Sequence, residues 1–342
     1  RGGFIIDIGS GQTNSITYGE STDDPPVPRW MVGFELKSGP KGNTTFINSS
    51  SAHDGAGLPY YATASNWTSG SVPYGNNYVS NGQIGFGNAT WVRGGVKMAD
   101  GDDFRNIGRS TNGGALWTML DTSNDKPTGD DSCRAVAYEG GTSGNWLAII
   151  QSNVWKSTND GATWTDLGNL TAVNGGGTSN YDWYSMAYDG VGRWVIVGAY
   201  GDGFTSIVPI ADMVSGTVPH GDWDEISTQL NTAQNQRGIV YMKGSVNKWI
   251  SVGNNGVIKT TAFTASARGP GDSWDTPSTP DTTEMRDIAT DHVTAIAVGA
   301  SGRIWSSTDA SSWTAADRDD NIGTEALNCI ACDIIGAGKV ND

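Results

Sequence analysis

Short apolar runs of about five residues recur along this chain, each bounded by Gly, Asn, Asp or Ser. No stretch has the 3.6-residue periodicity of a long amphipathic helix. Five runs are apolar on both faces, which is typical of strands covered on both sides. These runs are 30–34, 146–150, 194–198, 249–253 and 294–299. The pattern therefore predicts an all-β protein with buried strands.

A second repeated segment places small residues at alternate positions over four residues. Small side chains at this spacing suit crowded inner strands that converge on a common axis. The segments are 15–18, 83–86, 135–138, 185–188, 238–241, 287–290 and 329–332. Seven inner strands are therefore predicted.

Tryptophan marks a third repeated position, at the start of the last strand of each unit. The residues are Trp67, Trp117, Trp164, Trp223, Trp274 and Trp313, with spacings of 50, 47, 59, 51 and 39 residues. A four-stranded propeller blade repeats every ~40–50 residues. We therefore predict one domain, 1–342, folded as a seven-bladed β-propeller of four-stranded antiparallel blades. Six blades is the alternative, if residues 1–67 contain an insertion.

The two ends of the chain each supply part of a unit. Residues 1–13 are similar to a second strand with no inner strand before it, and 326–342 hold an inner strand with little sequence after it. Pairing the N-terminal closing strand with the C-terminal inner strand would remove two open edges. We predict that this shared blade closes the ring.

The clearest hairpin lies at 154–165, where Asn159, Asp160 and Gly161 supply a tight turn before Trp164. Degenerate copies lie at 110–117 and 307–313. These repeats resemble the Asp-box, or BNR repeat, of sialidase-like β-propellers. The resemblance implies that the motif pins a hairpin and lies away from the ligand pocket, so its polar residues are predicted to be structural.

Composition narrows the classes of partner. The formal charge is −15, which disfavours nucleic acid and anionic membrane surfaces. No apolar run approaches the ~18 residues that span a bilayer. Three Cys and three His argue against a disulfide framework and against a His-based metal site. The acidic clusters 100–103, 130–131 and 317–320 are candidates for Ca²⁺, but none has an ordered ligand loop. We predict solvated turns there and no cofactor.

The candidate ligand-binding residues come from aligning the inner strands. The residue before each strand is, in order, Asn14, Gly82, Arg134, Tyr184, Arg237, Arg286 and Asn328. Guanidinium groups bind carboxylate, sulfate or phosphate through paired hydrogen bonds. Arg134, Arg237 and Arg286, with Tyr184, are therefore the candidate site. The alternative is that each arginine pairs with a nearby acid: Asp130, Asp131, Glu284 or Asp287.

Three functions are open at this stage. We predict non-enzymatic recognition of a glycan or protein surface through loops or the funnel mouth. The acidic composition, rich in Gly, Asn, Thr and Trp, and the truncated motifs resemble propeller modules of phage tails, fibres and secreted surface proteins. This resemblance implies a larger assembly and an extracellular or virion-associated setting. Six aromatic residues near loops are candidates either for stacking on sugars or for packing at the blade interfaces: Tyr60, Tyr61, Tyr74, Tyr78, Tyr181 and Trp183. The resemblance also allows a sialidase-like glycoside hydrolase, although 27–30 matches the early arginine motif poorly and no Tyr–Glu pair is singled out. The third function is an assembly scaffold similar to photosystem-assembly propellers, which carry an arginine patch.

Overall fold

The computed structural model describes most of the predicted strands and the turns between them. The described residues are 11–20, 28–36, 44–48, 68–69, 83–95, 107–119, 133–150, 152–170, 182–214, 221–230, 232–262, 273–279, 281–315 and 326–332. The chain divides into two compact units, and each is described by itself. One unit comprises 6–151 and 155–166, and the other comprises 1–5, 152–154 and 167–342.

Three antiparallel four-stranded sheets account for the first half of the chain. The first contains β1 (Gly11–Glu20), β2 (Pro28–Leu36), β3 (Thr44–Asn48) and β4 (Thr68–Ser69). The second contains β5 (Ile84–Gly87), β6 (Thr90–Gly94), β7 (Ile107–Ser110) and β8 (Thr118–Met119). The third contains β9 (Cys133–Tyr138), β10 (Trp146–Ile150), β11 (Asn153–Ser157) and β12 (Thr165–Asn169).

Three more sheets follow in the second half. One contains β13 (Trp183–Tyr188), β14 (Trp194–Gly198), β15 (Gly203–Ser206) and β16 (Asp224–Glu225). The next has three strands, β17 (Gln236–Met242), β18 (Lys248–Gly253) and β19 (Ile258–Thr261). The last contains β20 (Met285–Thr290), β21 (Ala295–Gly299), β22 (Ile304–Ser307) and β23 (Thr314–Ala315). The one described α-helix is a single turn, α1 (Ser227–Leu230).

The strand predictions agree with this architecture. Six of the seven predicted inner strands are β1, β5, β9, β13, β17 and β20, and each pairs with the strand that follows it. All five predicted second strands are present, as β2, β10, β14, β18 and β21. Strand β6 was not among them, although all five of its residues are buried, including the charged Arg93.

Tryptophan occupies the predicted place at the outer edge of the sheets. Trp117, Trp164, Trp223 and Trp313 each come directly before the outermost strand and are at most 8% exposed. Trp274 is also buried, although the β17–β19 sheet has only an isolated bridge between Thr260 and Asp275 at this position. Trp67 lies outside the described residues. A buried indole therefore closes the outer end of five sheets.

A cross-strand aromatic pair joins the inner and second strands at one end of four of the six described sheets. Tyr138 lies opposite Trp146 in the register, and the two ring centroids are 5.0 Å apart. The same pair recurs as Phe86–Trp91, Tyr188–Trp194 and Tyr241–Trp249, at 4.7, 4.6 and 5.1 Å. Such pairs favour one register, because a slip by one residue would move each ring to the opposite face.

The polar residues of the repeated hairpins hold their turns, as predicted. Ser157 Oγ accepts the N–H of Gly161 at 3.0 Å, and Asn159 Oδ1 accepts the N–H of Thr163 at 2.9 Å. The turn at 110–117 has the same two bonds, at 3.0 and 2.9 Å. In the third copy, Asp309 Oδ1 accepts the N–H groups of Ser311 and Ser312, both at 2.7 Å.

Both ends of the predicted ring closure fall partly outside the described residues. Residues 1–10 and 333–342 lie outside them. Residues 11–13 of the predicted closing strand belong to β1 and pair with the end of β2. The predicted seventh inner strand, 329–332, is described but forms no strand, only a single bridge residue at Ala331. The segment 326–332 contacts the β20–β23 sheet, where Ile330 is buried beside Ala289 and Val298. The chain is thus all-β, with several four-stranded antiparallel sheets.

Candidate functional site

The candidate site begins with a β-bulge that recurs near the start of the inner strand. In five sheets the pairing register shifts by one residue, which leaves an extra residue on the inner strand. These extra residues are Asn14, Arg134, Tyr184, Arg237 and Arg286, the positions that the sequence alignment selects. A bulged residue leaves the hydrogen-bond ladder and its side chain is re-aimed.

The first contact joins two bulges of neighbouring sheets. The guanidinium carbon of Arg237 lies 4.4 Å from the centroid of the Tyr184 ring, a cation–π geometry. Arg237 Nε also donates to Asn254 Oδ1 at 3.2 Å. Two independent contacts therefore orient one guanidinium group.

A single carboxylate joins this arginine to the next. Glu284 Oε1 lies 3.6 Å from Arg237 Nη2, and Glu284 Oε2 lies 3.2 Å from Arg286 Nε. Arg286 Nη1 in turn donates to Asn328 Oδ1. The side chains of Arg237, Glu284 and Arg286 are 31%, 29% and 35% exposed, so water reaches all three. We call Tyr184, Arg237, Glu284, Arg286 and Asn328 the arginine cluster.

The structure thus brings together three of the four predicted site residues, Tyr184, Arg237 and Arg286. It also realises the alternative pairing with Glu284, because that acid contacts both arginines. Arg134 belongs to the other unit, where it is half-buried at the β9 bulge and its carbonyl accepts the N–H of Gln83 at 3.3 Å.

A tight turn after three of the second strands, β14, β18 and β21, supports the cluster. The 3-10 turns Ala199–Gly201, Asn254–Gly256 and Ala300–Gly302 each donate their first N–H to a carbonyl two residues before a bulge. The acceptors are Asp182, Asn235 and Glu284, at 2.9, 2.9 and 3.0 Å. Sequence reasoning missed these turns, although the Gly-x-x-Gly spacing at 198–201, 253–256 and 299–302 marks them.

Asp287 follows the Arg286 bulge and holds the C-terminal segment. Its Oδ2 accepts the N–H of Ile330 at 2.8 Å, and its Oδ1 accepts the N–H of Ile288 at 2.9 Å. Burial raises the pKa of Asp287 to about 7, although both hydrogen bonds act in the opposite direction. The carboxyl group therefore binds a proton more tightly in the folded chain than in the unfolded chain.

We expect the free energy of unfolding to fall as the pH rises from about 4 to about 7, because the native state then retains a proton that the unfolded chain releases. Asp202, with a pKa raised to about 6 by burial and by Glu225, changes stability in the same direction. In Asp287→Asn, the fall in the free energy of unfolding over this pH range should be smaller by ~2–4 kcal/mol. Urea titrations at pH 4.5 and 7.5 measure it, with the exposed Asp212→Asn as control. An unchanged slope for Asp287→Asn would contradict the assignment.

The other candidate positions divide into two groups. Trp183 is 1% exposed and packs edge-on against Phe204, with centroids 5.5 Å apart, so of its two predicted roles the structure excludes stacking on a sugar and agrees with packing in the interior. The remaining aromatic candidates and all three acidic clusters lie outside the described residues. Within the described part of the chain, no group of three or more His, Cys, Asp or Glu could hold a metal ion.

No helix in the described ranges is both long and apolar enough to cross a membrane.

No protein-family model and no curated protein sequence matches this chain. Solved structures do resemble it. YCF48 from Cyanidioschyzon merolae superimposes with a TM-score of 0.58 at 14% identity, covering 94% of this chain and 88% of that one. A structure of YCF48 bound to D1 peptide gives a TM-score of 0.53 at 13% identity, covering 93% and 86%. At this identity the likeness concerns the fold, and it supports a β-propeller.

Proposed function

We propose that this chain is a non-enzymatic recognition module that binds a carboxylate-bearing segment of a partner protein at the arginine cluster. We also propose that its sheets are the blades of a seven-bladed, ring-closed propeller with Asp-box-like hairpins. The observation that carries the proposed function is the continuous contact from Tyr184 through Arg237, Glu284 and Arg286 to Asn328.

The chemistry of the cluster suits a carboxylate ligand. Arginine presents planar, fixed donors that match the two oxygens of a carboxylate. Glu284 already shows how one carboxylate spans the two guanidinium groups. All three side chains are partly exposed, so a carboxylate from another chain can approach them. Stacking on Tyr184 holds Arg237 in place before binding, which reduces the entropy lost on association.

The comparison with solved structures supports a protein partner over a glycan. YCF48, which shares the fold at low identity, has been solved in complex with a D1 peptide. A peptide carries carboxylates on Asp, Glu and its C-terminus, all of which match the cluster chemically. The extracellular or virion-associated setting remains a prediction.

Selection from a library tests this function directly. The immobilised chain is incubated with a phage-displayed library of random dodecapeptides, and the recovered sequences are synthesised for fluorescence anisotropy. We expect enrichment in Asp and Glu, and loss of binding when these residues become Asn and Gln. A glycan array and hydrolysis assays run in parallel. Glycan binding without acidic peptides, or turnover of any sugar, would overturn the proposed function.

Glu284→Gln should strengthen binding of a recovered acidic peptide by about 3–10-fold. The reason is that Glu284 competes for the two arginines with the ligand, and Gln keeps the shape but not the charge. Because the ion pairs are partly exposed, the free energy of unfolding should change by less than ~1 kcal/mol. Asp212→Asn makes the same change in net charge outside the cluster and should leave affinity unaltered. Equal or weaker binding by Glu284→Gln would show that Glu284 positions the arginines instead.

A further inference from the structure

Tyr200 occupies an unusual backbone position in the turn beside the arginine cluster. Its φ and ψ are 54° and 19°, in the left-handed region. The equivalent residues of the next two sheets are Asn255 and Ser301, with φ of 55° and 56°. Asn tolerates this region because its short polar side chain bonds locally, and Ser is small. A tyrosine gains neither advantage, so the local sequence opposes the conformation it adopts.

The surrounding packing leaves this turn no freedom to relax. The following Gly201 also has a positive φ, of 78°, and a Cβ there would overlap the carbonyl oxygen of Thr232. The N–H of Ala199 donates to Asp182 O at 2.9 Å, and the N–H of Tyr200 donates to Asn235 Oδ1 at 3.0 Å. The backbone of Tyr200 is therefore fixed at both sides.

These two bonds also place Tyr200 with respect to the cluster. Asp182 and Asn235 each lie two residues before a cluster residue, Tyr184 and Arg237 respectively. The Tyr200 turn therefore bridges the strand ends that carry the stacked Tyr184–Arg237 pair. Tyr200 is 64% exposed as a residue, so the large ring adds little to the core.

A strained backbone that displays an aromatic ring to water calls for a functional explanation. Exposed tyrosine rings supply rigid apolar area at binding surfaces, with a small loss of side-chain entropy. Arg237 lies two residues after Asn235, whose side chain accepts the N–H of Tyr200, and its guanidinium carries the positive charge that selects an anionic group. Together they match a peptide in which an apolar or aromatic side chain lies next to a carboxylate.

We infer that Tyr200 is a specificity-determining residue of the arginine cluster, which receives the apolar side chain adjacent to the bound carboxylate of an acidic peptide. This inference rests on the proposed function and extends it by naming the residue that selects among acidic peptides. Tyr200 contacts the neighbouring residue of the peptide, while the arginines bind its charge.

The test is parallel selection of the random dodecapeptide library on the unaltered chain, Tyr200→Asn and Tyr200→Phe. Asn is the residue of the equivalent turn in the next sheet, so the variant should fold with an unchanged or higher melting temperature. On the unaltered chain and Tyr200→Phe, we expect aromatic or large aliphatic residues within two positions of Asp or Glu. On Tyr200→Asn, that apolar enrichment should disappear while the acidic enrichment stays.

Affinities of one recovered peptide complete the test. Tyr200→Asn should weaken its binding about 5–30-fold, and should have no effect on the same peptide with its apolar residue changed to Ala. Apolar enrichment that persists on Tyr200→Asn, or acidic peptides without any apolar preference, would overturn this inference and leave the proposed function standing. Absence of acidic enrichment on the unaltered chain would overturn both.

Discussion

Replacing Trp164 with alanine is expected to lower the free energy of unfolding by about 3–5 kcal/mol. The indole is 2% exposed and packs in a cluster with Val92, Trp146 and Ala148, so its loss leaves a cavity in a core that cannot collapse fully. Its Nε1 also donates to Gly161 O at 3.1 Å, which ties the ring to the turn before it. Urea titration followed by far-UV circular dichroism measures the change.

The matched control is Leu116→Ala, in the equivalent turn of the preceding sheet. Leu116 comes directly before Trp117 but is 54% exposed, so truncating it should change the free energy of unfolding by less than ~0.5 kcal/mol. A value below ~1 kcal/mol for Trp164→Ala would mean that the repeated tryptophans do not stabilise their sheets. Binding of acidic peptides by the folded fraction should be the same for both variants.

Arg237→Ala is expected to weaken binding of an acidic dodecapeptide by about 10–100-fold, or ~1–3 kcal/mol. The change removes the guanidinium that stacks on Tyr184 at 4.4 Å and leaves Arg286 as the single arginine of the cluster. The affinity of Arg237→Lys should lie between those of the unaltered chain and Arg237→Ala, because an ammonium group keeps the charge but loses the planar stacking and paired donors. Fluorescence anisotropy with a labelled peptide measures all three affinities.

Lys248→Ala is the control for the change in net charge. Lys248 begins β18 and donates to Ser311 Oγ at 3.0 Å, whereas Asn254, which accepts from Arg237, follows the far end of the same strand. Equal affinities for Arg237→Ala and Lys248→Ala would remove the arginine cluster as the binding site. Both variants should keep the free energy of unfolding within ~1 kcal/mol of the unaltered chain, because their ion pairs and hydrogen bonds are partly exposed.

The candidate site was predictable in part. Its residue positions could be predicted from the sequence, but the contacts between residues far apart in the sequence could not. Aligning the inner strands selects Tyr184, Arg237 and Arg286, because the same bulge recurs at the same place in five of the six described sheets. The contacts between these residues join different repeats: Arg237 pairs with Glu284, and Arg286 with Asn328, 42 residues away. The local sequence does not predict which of several nearby acids an arginine will contact.

Tyr200 and Trp183 show that the burial of a side chain, like its distant contacts, could not be predicted from the local sequence. Both are aromatic residues close to strand ends, yet Trp183 is 1% exposed and Tyr200 is 64% exposed. Trp183 packs against Phe204 of a different strand, whereas Tyr200 is held outward by a turn whose glycine abuts Thr232. Exposure of an aromatic side chain depends on these distant neighbours and not on its own sequence context.

The sequence by itself determined six inner strands, five second strands and the repeated hairpin turns, because these depend on neighbouring residues. Alternating small residues select inner strands, doubly apolar runs select second strands, and Ser157 with Asn159 shapes a hairpin through bonds no more than four residues long. Only the tertiary structure decided that Tyr184, Arg237 and Arg286 meet around Glu284 and that Asp287 holds Ile330. Those contacts exist only after separate sheets pack together, since packing is what brings residues from different repeats within hydrogen-bond distance.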